Sequence, residues 1–577
     1  MIKKLLIALT LIPMISVAQI SFTSGNGNLV NASLKSGVAI GVSDMNGDGL
    51  DDIIRLNGAS SLEIEYQNTN GIFTRLNYGS TSGSKWGMAI ADVDRNGYND
   101  ILMGGSYNGL KVYTANSSGT NYSSNLLTYQ IFVQNLNFAD IDNNGTIDIF
   151  ACHDNGLSKA YSNDGTGAMT ENLGLINTAS TIPSDNSGNY GSIWIDYDND
   201  GDLDLYISKC RLGVSNPNDG RRVNLLFEND GNNNYSEVAV ARGLVPYGQS
   251  WAAAFEDIDN DGDLDCVIVN HDITSMILEN DGNGTYTDIT ASSGIATSLD
   301  NLGDGGIQVI MEDFDNDTFV DIFITTRNGI HKLYKNDGDN TFTELPNPFP
   351  LPYNTNRIQS AAVGDLNNDG FVDVMAGFGS GYNNPSSNNP DRLYFNSGNS
   401  TNNWTQILLE GTTSNINGIG ARIEIYGAWG KQIREVRSGE SYGIMNSLKT
   451  HFGLGTATAI TKIVVKWPSG NVDELLAPAI NQSITITEGS TLSTANPEAI
   501  SKLRIYPNPT SRFITVETNN RNSNVAYSLY DVSGKLLQAN QTLNVNKQIP
   551  LQSLATGIYM LQLNIDGEIS MRKIIKE

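Results

Sequence analysis

Short apolar runs rich in β-branched and aromatic residues recur along residues 20 to 400, each broken by a cluster of Asp, Asn and Gly. GSIWI precedes one such cluster and LYISK follows it; AAAFE and CVIVN flank another. Runs of this length bounded by turn residues predict strands joined by tight connections. Further along, an apolar run meets Asn and Gly again, as in LLFENDGNNNYSEV, MILENDGNGTYTDI, KLYKNDGDNTFTEL and KAYSNDGTGAMTEN. These segments predict a second hairpin with a glycine turn, so the unit has four strands.

The unit repeats. The acidic turns read DMNGDGLDD, DVDRNGYND, DIDNNGTID, DYDNDGDLD, DIDNDGDLD, DFDNDTFVD and DLNNDGFVD, starting at Asp44, Asp92, Asp140, Asp196, Asp257, Asp313 and Asp365. Successive starts lie 48, 48, 56, 61, 56 and 52 residues apart. Four antiparallel strands repeated seven times at this period fit a seven-bladed β-propeller, which leaves only short protected edges. A stacked calcium-binding β-roll is the alternative, but such rolls repeat over much shorter periods. The segment ISFTSGNGNLVNASLKSG at the start resembles the outer-strand segment TYTDITASSGI, so residues 21–24 are expected to pair with residues 393–396 and close the ring.

The turns carry the candidate chemistry. Two carboxylates about 5 Å apart near a protein surface repel by roughly 3 kcal/mol at an effective dielectric of about 20, so a folded turn of this kind calls for a cation. Oxygen ligands at alternate positions suit a hard cation that takes six to eight oxygens, and Ca²⁺ fits better than Mg²⁺, which keeps its waters and an octahedral shell. Positions 1, 3, 5, 7 and 9 give the expected ligands, with position 7 acting through its carbonyl. They are Asp44, Asn46, Asp48, Leu50 and Asp52 in the first turn, then Asp92, Asp94, Asn96, Tyr98 and Asp100 in the second. The third turn supplies Asp140, Asp142, Asn144, Thr146 and Asp148, and the fourth Asp196, Asp198, Asp200, Asp202 and Asp204. Asp257, Asp259, Asp261, Asp263 and Asp265 follow in the fifth, and Asp313, Asp315, Asp317, Phe319 and Asp321 in the sixth. The seventh has Asp365, Asn367, Asp369, Phe371 and Asp373.

Glycine at position 6 permits the positive φ of the sharp turn, except in the sixth copy, which has Thr318. That copy, and the second and third with Asn96 and Asn144 at position 5, are expected to bind more weakly. An EF-hand is disfavoured because Asp at 9 replaces Glu at 12 and a strand follows. Asp- and Asn-rich turns without metal explain one such stretch, not seven in register. Side-chain positions contribute 24 aspartates, against 14 positive charges if up to seven Ca²⁺ bind. The ions are expected to be structural, and chelation to lower the melting temperature.

The 577 residues carry a net charge of -27, which argues against nucleic-acid binding. MIKKLLIALTLIPMISVAQ reads as a secretory signal peptide over residues 1–18, with a short apolar run and a small-residue end; no other stretch is long enough to cross a bilayer. Cys152, Cys210 and Cys266 are odd in number and sit in expected strands, so they read as buried thiols.

At the acidic turns the chain resembles the FG-GAP and VCBS repeats of integrin-α-like propellers, over residues 19–400. The resemblance places the family's calcium ligands on positions 1, 3, 5, 7 and 9 of each turn. Residues 401–489 resemble the ASPIC/UnbV domain through NNWTQILLEG, SNINGIGARIEIY, REVRSGESYGIMNS, HFGLG and IVVKWPSG. With the repeats, that places the chain beside bacterial relatives of the cartilage acidic protein family. ARIEIY and KIVVKW alternate as strands, Trp404 and Trp467 are expected in the core, and His451 in a packed turn. A polar linker, 490–500, leads to LRIYPNPTSRFITVE, SLYDVSGKLL and LATGIYMLQL in residues 501–577, which resemble the C-terminal sorting domain of type IX secretion in Bacteroidota. The resemblance implies an immunoglobulin-like sandwich, the type IX machinery as partner, and a secreted or outer-membrane surface-attached product.

The fold class expected is therefore all-β: a propeller with calcium loops, a small β-rich domain and a terminal β-sandwich. The function expected is calcium-dependent binding of a glycan or protein at the face away from the acidic turns, where Arg211, Arg221, Arg222 and Arg392 are candidate contacts or plain loop charge. A secreted hydrolase or lyase and an architectural matrix protein are the alternatives. No HExxH or GxSxG is present, and His153, His271, His331 and His451 are the only histidines, so no catalytic residue is assigned.

Overall fold

The structure, a computed structural model, describes residues 20–577 except 69–70, 181, 183–184, 328–330, 351–359, 381–383, 399–400, 492–503, 507, 518–524, 532–534, 544–546 and 566–567. The expected signal segment, and the expected linker from residue 492 on, lie outside the described residues.

Among the described residues, each acidic turn joins the two inner strands of one antiparallel sheet, and seven such sheets follow in chain order. In the fourth, Asn189–Ile195, Asp204–Lys209, Leu225–Asn229 and Tyr235–Glu237 pair in sequence, with Ile195 opposite Asp204 at the turn. Inner strands such as Gly87–Ala91 and Asp100–Gly104 are buried along their whole length. Burial on both faces explains why these runs are continuously apolar, without the alternation of a one-sided sheet.

The sheets pack face to face in a closed series. Met88 and Ile90 of the second sheet share a core with Ile54 of the first and Leu136 of the third, while Phe150 meets Trp194 between the third and fourth. Tyr206 and Phe255 join the fourth to the fifth, Val269 and Val309 the fifth to the sixth, and Phe323 and Val374 the sixth to the seventh. Ile40 and Val42 of the first sheet pack with Ala362 and Met375 of the seventh, which closes the circle. The outer strand of the seventh sheet is Phe22–Ser24, paired antiparallel with Arg392–Asn396 so that Phe22 faces Asn396 and Ser24 faces Tyr394. This is the pairing the sequence predicts for residues 21–24.

The next region forms two sheets. Thr450–Gly455, Asn403–Glu410 and Ser483–Thr487 make one, and Gly430–Glu435, Arg422–Gly427, Ile460–Lys466 and Val472–Leu476 the other. Trp467 is buried with Ile407, Ile423 and Ile463. Two expectations are corrected here. Trp404 is only half-buried, because it lies over the seventh acidic turn, where a Cβ on Gly370 would come within 1.8 Å of its ring. His451 lies in a strand, not a turn, opposite Gln406. The C-terminal region has a three-stranded and a four-stranded sheet enclosing Ile514, Val516, Leu529, Leu561, Leu563 and Ile574.

Residues 436–447, between the strands Gly430–Glu435 and Thr450–Gly455, thread the axis of the closed series. Ile444 and Met445 pair in parallel with Ile40 and Gly41 of the first sheet. Ser438 Oγ accepts from Ile90 N at 3.1 Å, and Gly443 N donates to Asn135 Oδ1 at 2.9 Å. Tyr442 packs beside Tyr190 and Trp251, Val309 N donates to Ser441 Oγ, and Val363 N to Asn446 Oδ1. The segment thereby touches the innermost strand of every one of the seven sheets described above. Its glycines allow the fit: Gly443 has φ +72°, and a Cβ there would stand 2.2 Å from Trp86 O.

Candidate metal centres and the domain that covers them

The seven acidic turns share one geometry. The Asp at position 1 folds the turn onto itself: Asp92 accepts from Asn96 N at 3.0 Å and Gly97 N at 2.8 Å, and Asp365 from Asp369 N at 3.0 Å and Gly370 N at 2.9 Å. Position 5 caps position 7, as when Asp369 Oδ1 accepts from Phe371 N at 3.0 Å. The Asp at position 9 ties the turn to its own sheet. Asp265 accepts from Ile258 N at 3.1 Å and, across the sheet, from Asn280 N at 2.8 Å.

Two residues per turn are left-handed. Position 6 has φ from +81° at Gly49 to +101° at Gly262, as its glycine predicts. Position 4 is left-handed too, at Gly47, Arg95, Asn143, Asn199, Asn260, Asn316 and Asn368, a feature the sequence reading missed. The recurring Asn was the available signal, since it tolerates this region better than other side chains. Its amide also reaches the next turn: Asn260 Nδ2 donates to Thr318 O at 3.0 Å and Asn316 Nδ2 to Gly370 O at 2.9 Å.

Carboxylates at positions 1, 3 and 9 converge. Asp92, Asp94 and Asp100 each place an oxygen within 4.8 Å of the others, as do Asp140, Asp142 and Asp148; Asp196, Asp198 and Asp204; Asp257, Asp259 and Asp265; and Asp313, Asp315 and Asp321. The first and seventh turns carry Asn46 and Asn367 at position 3, whose amides donate to Asp48 and Asp369. Burial drives the carboxyl pKa values up. Asp140 is raised to about 6, Asp257 to about 7, Asp100 to about 8 and Asp265 to about 9, each chiefly by desolvation and then modulated by backbone donors and neighbouring charges. Asp142 Oδ1, Asp196 Oδ1, Asp198 Oδ1 and Asp263 Oδ1 are buried with no hydrogen-bond partner. Converging, desolvated, unpartnered oxygens without nitrogen or sulfur donors fit a hard divalent cation held by oxygen ligands. These groups could hold metal ions.

The acidic face is covered. Asn417 accepts from Asp92 N at 2.8 Å, Glu435 from Asp196 N at 3.3 Å, and Gln406 donates to Asp365 Oδ2 at 3.1 Å. Arg422 bonds Asn199 and the carbonyl of Gly262, His451 Nε2 lies 2.6 Å from Asn316 Oδ1, and Ser447 donates to Asp51 Oδ1 at 2.8 Å. At the third turn a Cβ on Gly145 would lie 2.6 Å from Thr413 O. Between the first two turns and the strand Asn403–Glu410 a cleft of about 510 Å³ remains, lined by Asp44, Asp48, Asp92, Glu410, Asn417 and Lys449 among others.

On the other face, three of the four expected arginines pair with carboxylates. Arg211 pairs with Asp154 at 2.9 Å, Arg221 with Asp219 at 2.8 Å and Arg222 with Asp272 at 2.7 Å. The cysteines are free and buried, and burial raises all three thiol pKa values.

Comparison with known proteins agrees with this division. Residues 44–103, 92–151, 140–207, 257–324 and 313–376 match an FG-GAP-like repeat, residues 411–493 the ASPIC and UnbV family, and residues 504–577 a secretion system C-terminal sorting domain. The chain is 25% identical over 259 residues to cartilage acidic protein 1 of Xenopus tropicalis, across 43% of this chain and 38% of the relative, and 24% identical over 261 residues to that of Homo sapiens. It thus matches less than half the length of these relatives. A solved Agrocybe aegerita lectin that recognises non-reducing terminal N-acetylglucosamine aligns with 54% of this chain and 79% of its own at 17% identity and a TM-score of 0.36. The sorting domain implies interaction with type IX secretion machinery and export to the medium or the outer-membrane surface. Among the described residues no helix is long and apolar enough to cross a membrane. The chain thus carries segments that match FG-GAP-like repeats, the ASPIC and UnbV family and a C-terminal sorting domain, and it is homologous to cartilage acidic protein 1 over the matched residues.

Proposed function

We propose that this is an exported, calcium-loaded binding protein that takes a glycan in the cleft between its acidic turns and its ASPIC/UnbV domain. The seven sheets are the blades of a propeller, and the two C-terminal sheets form an immunoglobulin-like sandwich that serves export. In the turns that bind it, calcium is held by positions 1, 3, 5, 7 and 9 and neutralises their charge.

The cleft carries the reading. Its volume of about 510 Å³ falls within the range of small-ligand sites. Its lining carries the carboxylate of Glu410, the ammonium of Lys449 and the amide of Asn417, one of whose N–H groups already goes to Asn99, a mixture that hydroxyl groups satisfy. The Lys449 side chain is 4% exposed, and its nearest carboxylate, on Asp51, is 3.6 Å away, beyond hydrogen-bond length. A cation in the first turn would border the same space through Asp44 and Asp48.

A glycan array probed with mature protein tests this. Signal that needs calcium and is lost in Lys449→Met is the expected result. An array silent with and without calcium would defeat the binding reading, and turnover of a polysaccharide by the purified protein would make it an enzyme instead.

A further inference from the structure

The sixth acidic turn differs from its siblings in what stands beside it. The residue on the third strand just before the one whose backbone meets position 9 is Tyr66, Thr114, Ser162, Glu228, Glu279 and Phe395 in the other six sheets. In the sixth it is Lys335. The Lys335 ammonium lies 2.7 Å from Asp315 Oδ2 and also bonds Asp317 Oδ2, and its side chain is 9% exposed. Those are positions 3 and 5, whose oxygens an ion in this turn would need.

Two further observations set this turn apart. Thr318 replaces glycine at position 6 with φ +95°, so the turn is built where a Cβ is disfavoured. The ASPIC/UnbV strand Thr450–Gly455 also lies directly on it. Gly455 N donates to Asn316 O at 2.8 Å, and a Cβ on Gly453 would come within 2.0 Å of Asp313 Oδ2. Asp313 and Asp321 are fully buried there.

We propose that the sixth turn takes no metal: Lys335 is its resident cation, and the turn is a metal-independent anchor for the ASPIC/UnbV domain. An ammonium at hydrogen-bond distance from Asp315 and Asp317 occupies the oxygens of a would-be ligand shell, and a calcium ion a few ångströms away would repel it. A tethered ammonium adds one charge where calcium adds two, and it is lost neither to chelator nor to dilution. The domain's strand therefore docks on a turn whose shape does not follow calcium concentration. This rests on calcium occupying the other turns.

The experiment has two arms. Bound calcium per chain, measured by atomic emission after equilibrium dialysis, should not change in Asp315→Asn/Asp317→Asn, should fall by one in Asp259→Asn/Asp261→Asn, and should rise by one in Lys335→Ser. Loss of one calcium in Asp315→Asn/Asp317→Asn would overturn the proposal. In the second arm, Lys335→Ser is melted in EDTA, where it should unfold several degrees below the parent, and added calcium should restore it. An EDTA melt equal to the parent's would overturn the proposal. A chain that binds no calcium at all defeats the reading of the other turns, while the EDTA melt still decides the role of Lys335.

Discussion

The side-chain amide of Asn280, at the end of the third strand of the fifth sheet, donates to the carbonyl of Tyr197 in the preceding acidic turn at 3.0 Å and to Leu264 O in its own turn at 3.2 Å. Its backbone N–H meanwhile bonds Asp265 at 2.8 Å. The device recurs as Asn163 to Val93 O, Asn336 to Ile258 O and Asn396 to Phe314 O, and Gln67 bonds Asp365 O to tie the first sheet to the seventh. Each sheet so joined is fastened to the turn of its neighbour. Asn280→Ala strips the buried carbonyl of Tyr197 of its side-chain donor, at about 1–3 kcal/mol, while Leu264 O keeps the Tyr286 hydroxyl at 2.8 Å. Asn280→Asp should cost more, since an acceptor then faces both carbonyls. Urea unfolding in saturating calcium checks both.

The raised carboxyl pKa values fix the pH response of metal-free protein. Asp92 and Asp140 are pushed to about 6, Asp148 and Asp257 to about 7, Asp100 to about 8 and Asp265 to about 9, each first by burial. The folded state therefore holds protons that the unfolded chain has released, and stability falls as pH rises through these values. In EDTA the melting temperature should drop steadily from pH 5 to pH 9. With calcium bound, the charge is matched and the profile should be nearly flat. Scanning fluorimetry across that range, with and without chelator, is the check.

The repeating turns, the Asn-Gly hairpins and the closure by Phe22–Ser24 were legible because each rests on local pattern with a fixed period. What was not legible depends on contacts between distant segments. RSGESYG around Ser438 carries part of the ASPIC/UnbV resemblance, and nothing local says that it enters an axis formed by residues 40 to 364. Lys335 follows Asp315 by 20 residues, so its pairing appears only once the third strand folds back over the turn. Trp404 and His451 look like core and turn from local sequence because their partners, Gly370 and Asn316, belong to the propeller-like region.

The axial segment should decide whether the ASPIC/UnbV domain stays docked. Gly439 and Gly443 are left-handed at φ +80° and +72°, and a Cβ would stand 1.9 Å from Leu136 O and 2.2 Å from Trp86 O. Gly443→Val combines a backbone penalty of about 1–2 kcal/mol with that clash. Its expected outcome is withdrawal of residues 436–447 and faster proteolysis within them. The burial of Tyr442, Ile444 and Met445, each contributing about 1.5–3 kcal/mol, would be lost with it. Mass mapping of a limited digest distinguishes this from global unfolding, which would expose sites in every sheet.

Glu488 offers a test of how the cleft wall is held. Its carboxylate accepts from the backbone N–H groups of Thr412, Thr413 and Ser414 at 2.7–2.8 Å, and from Asn471 at 2.8 Å. Burial alone would raise its pKa, but donors from Ser469, Ser414, Thr412 and Asn471 pull it down to about 2. Stability from such a depressed carboxyl is present above its unfolded pKa and lost as pH falls through the folded value. Glu488→Gln should thus lower the melting temperature at pH 7 and approach the parent near pH 2. Thr412 lines the cleft, so the same variant should loosen that wall and weaken any calcium-dependent glycan signal. A variant that keeps full signal while melting earlier would show that the 412–414 turn supports the domain without shaping the ligand site.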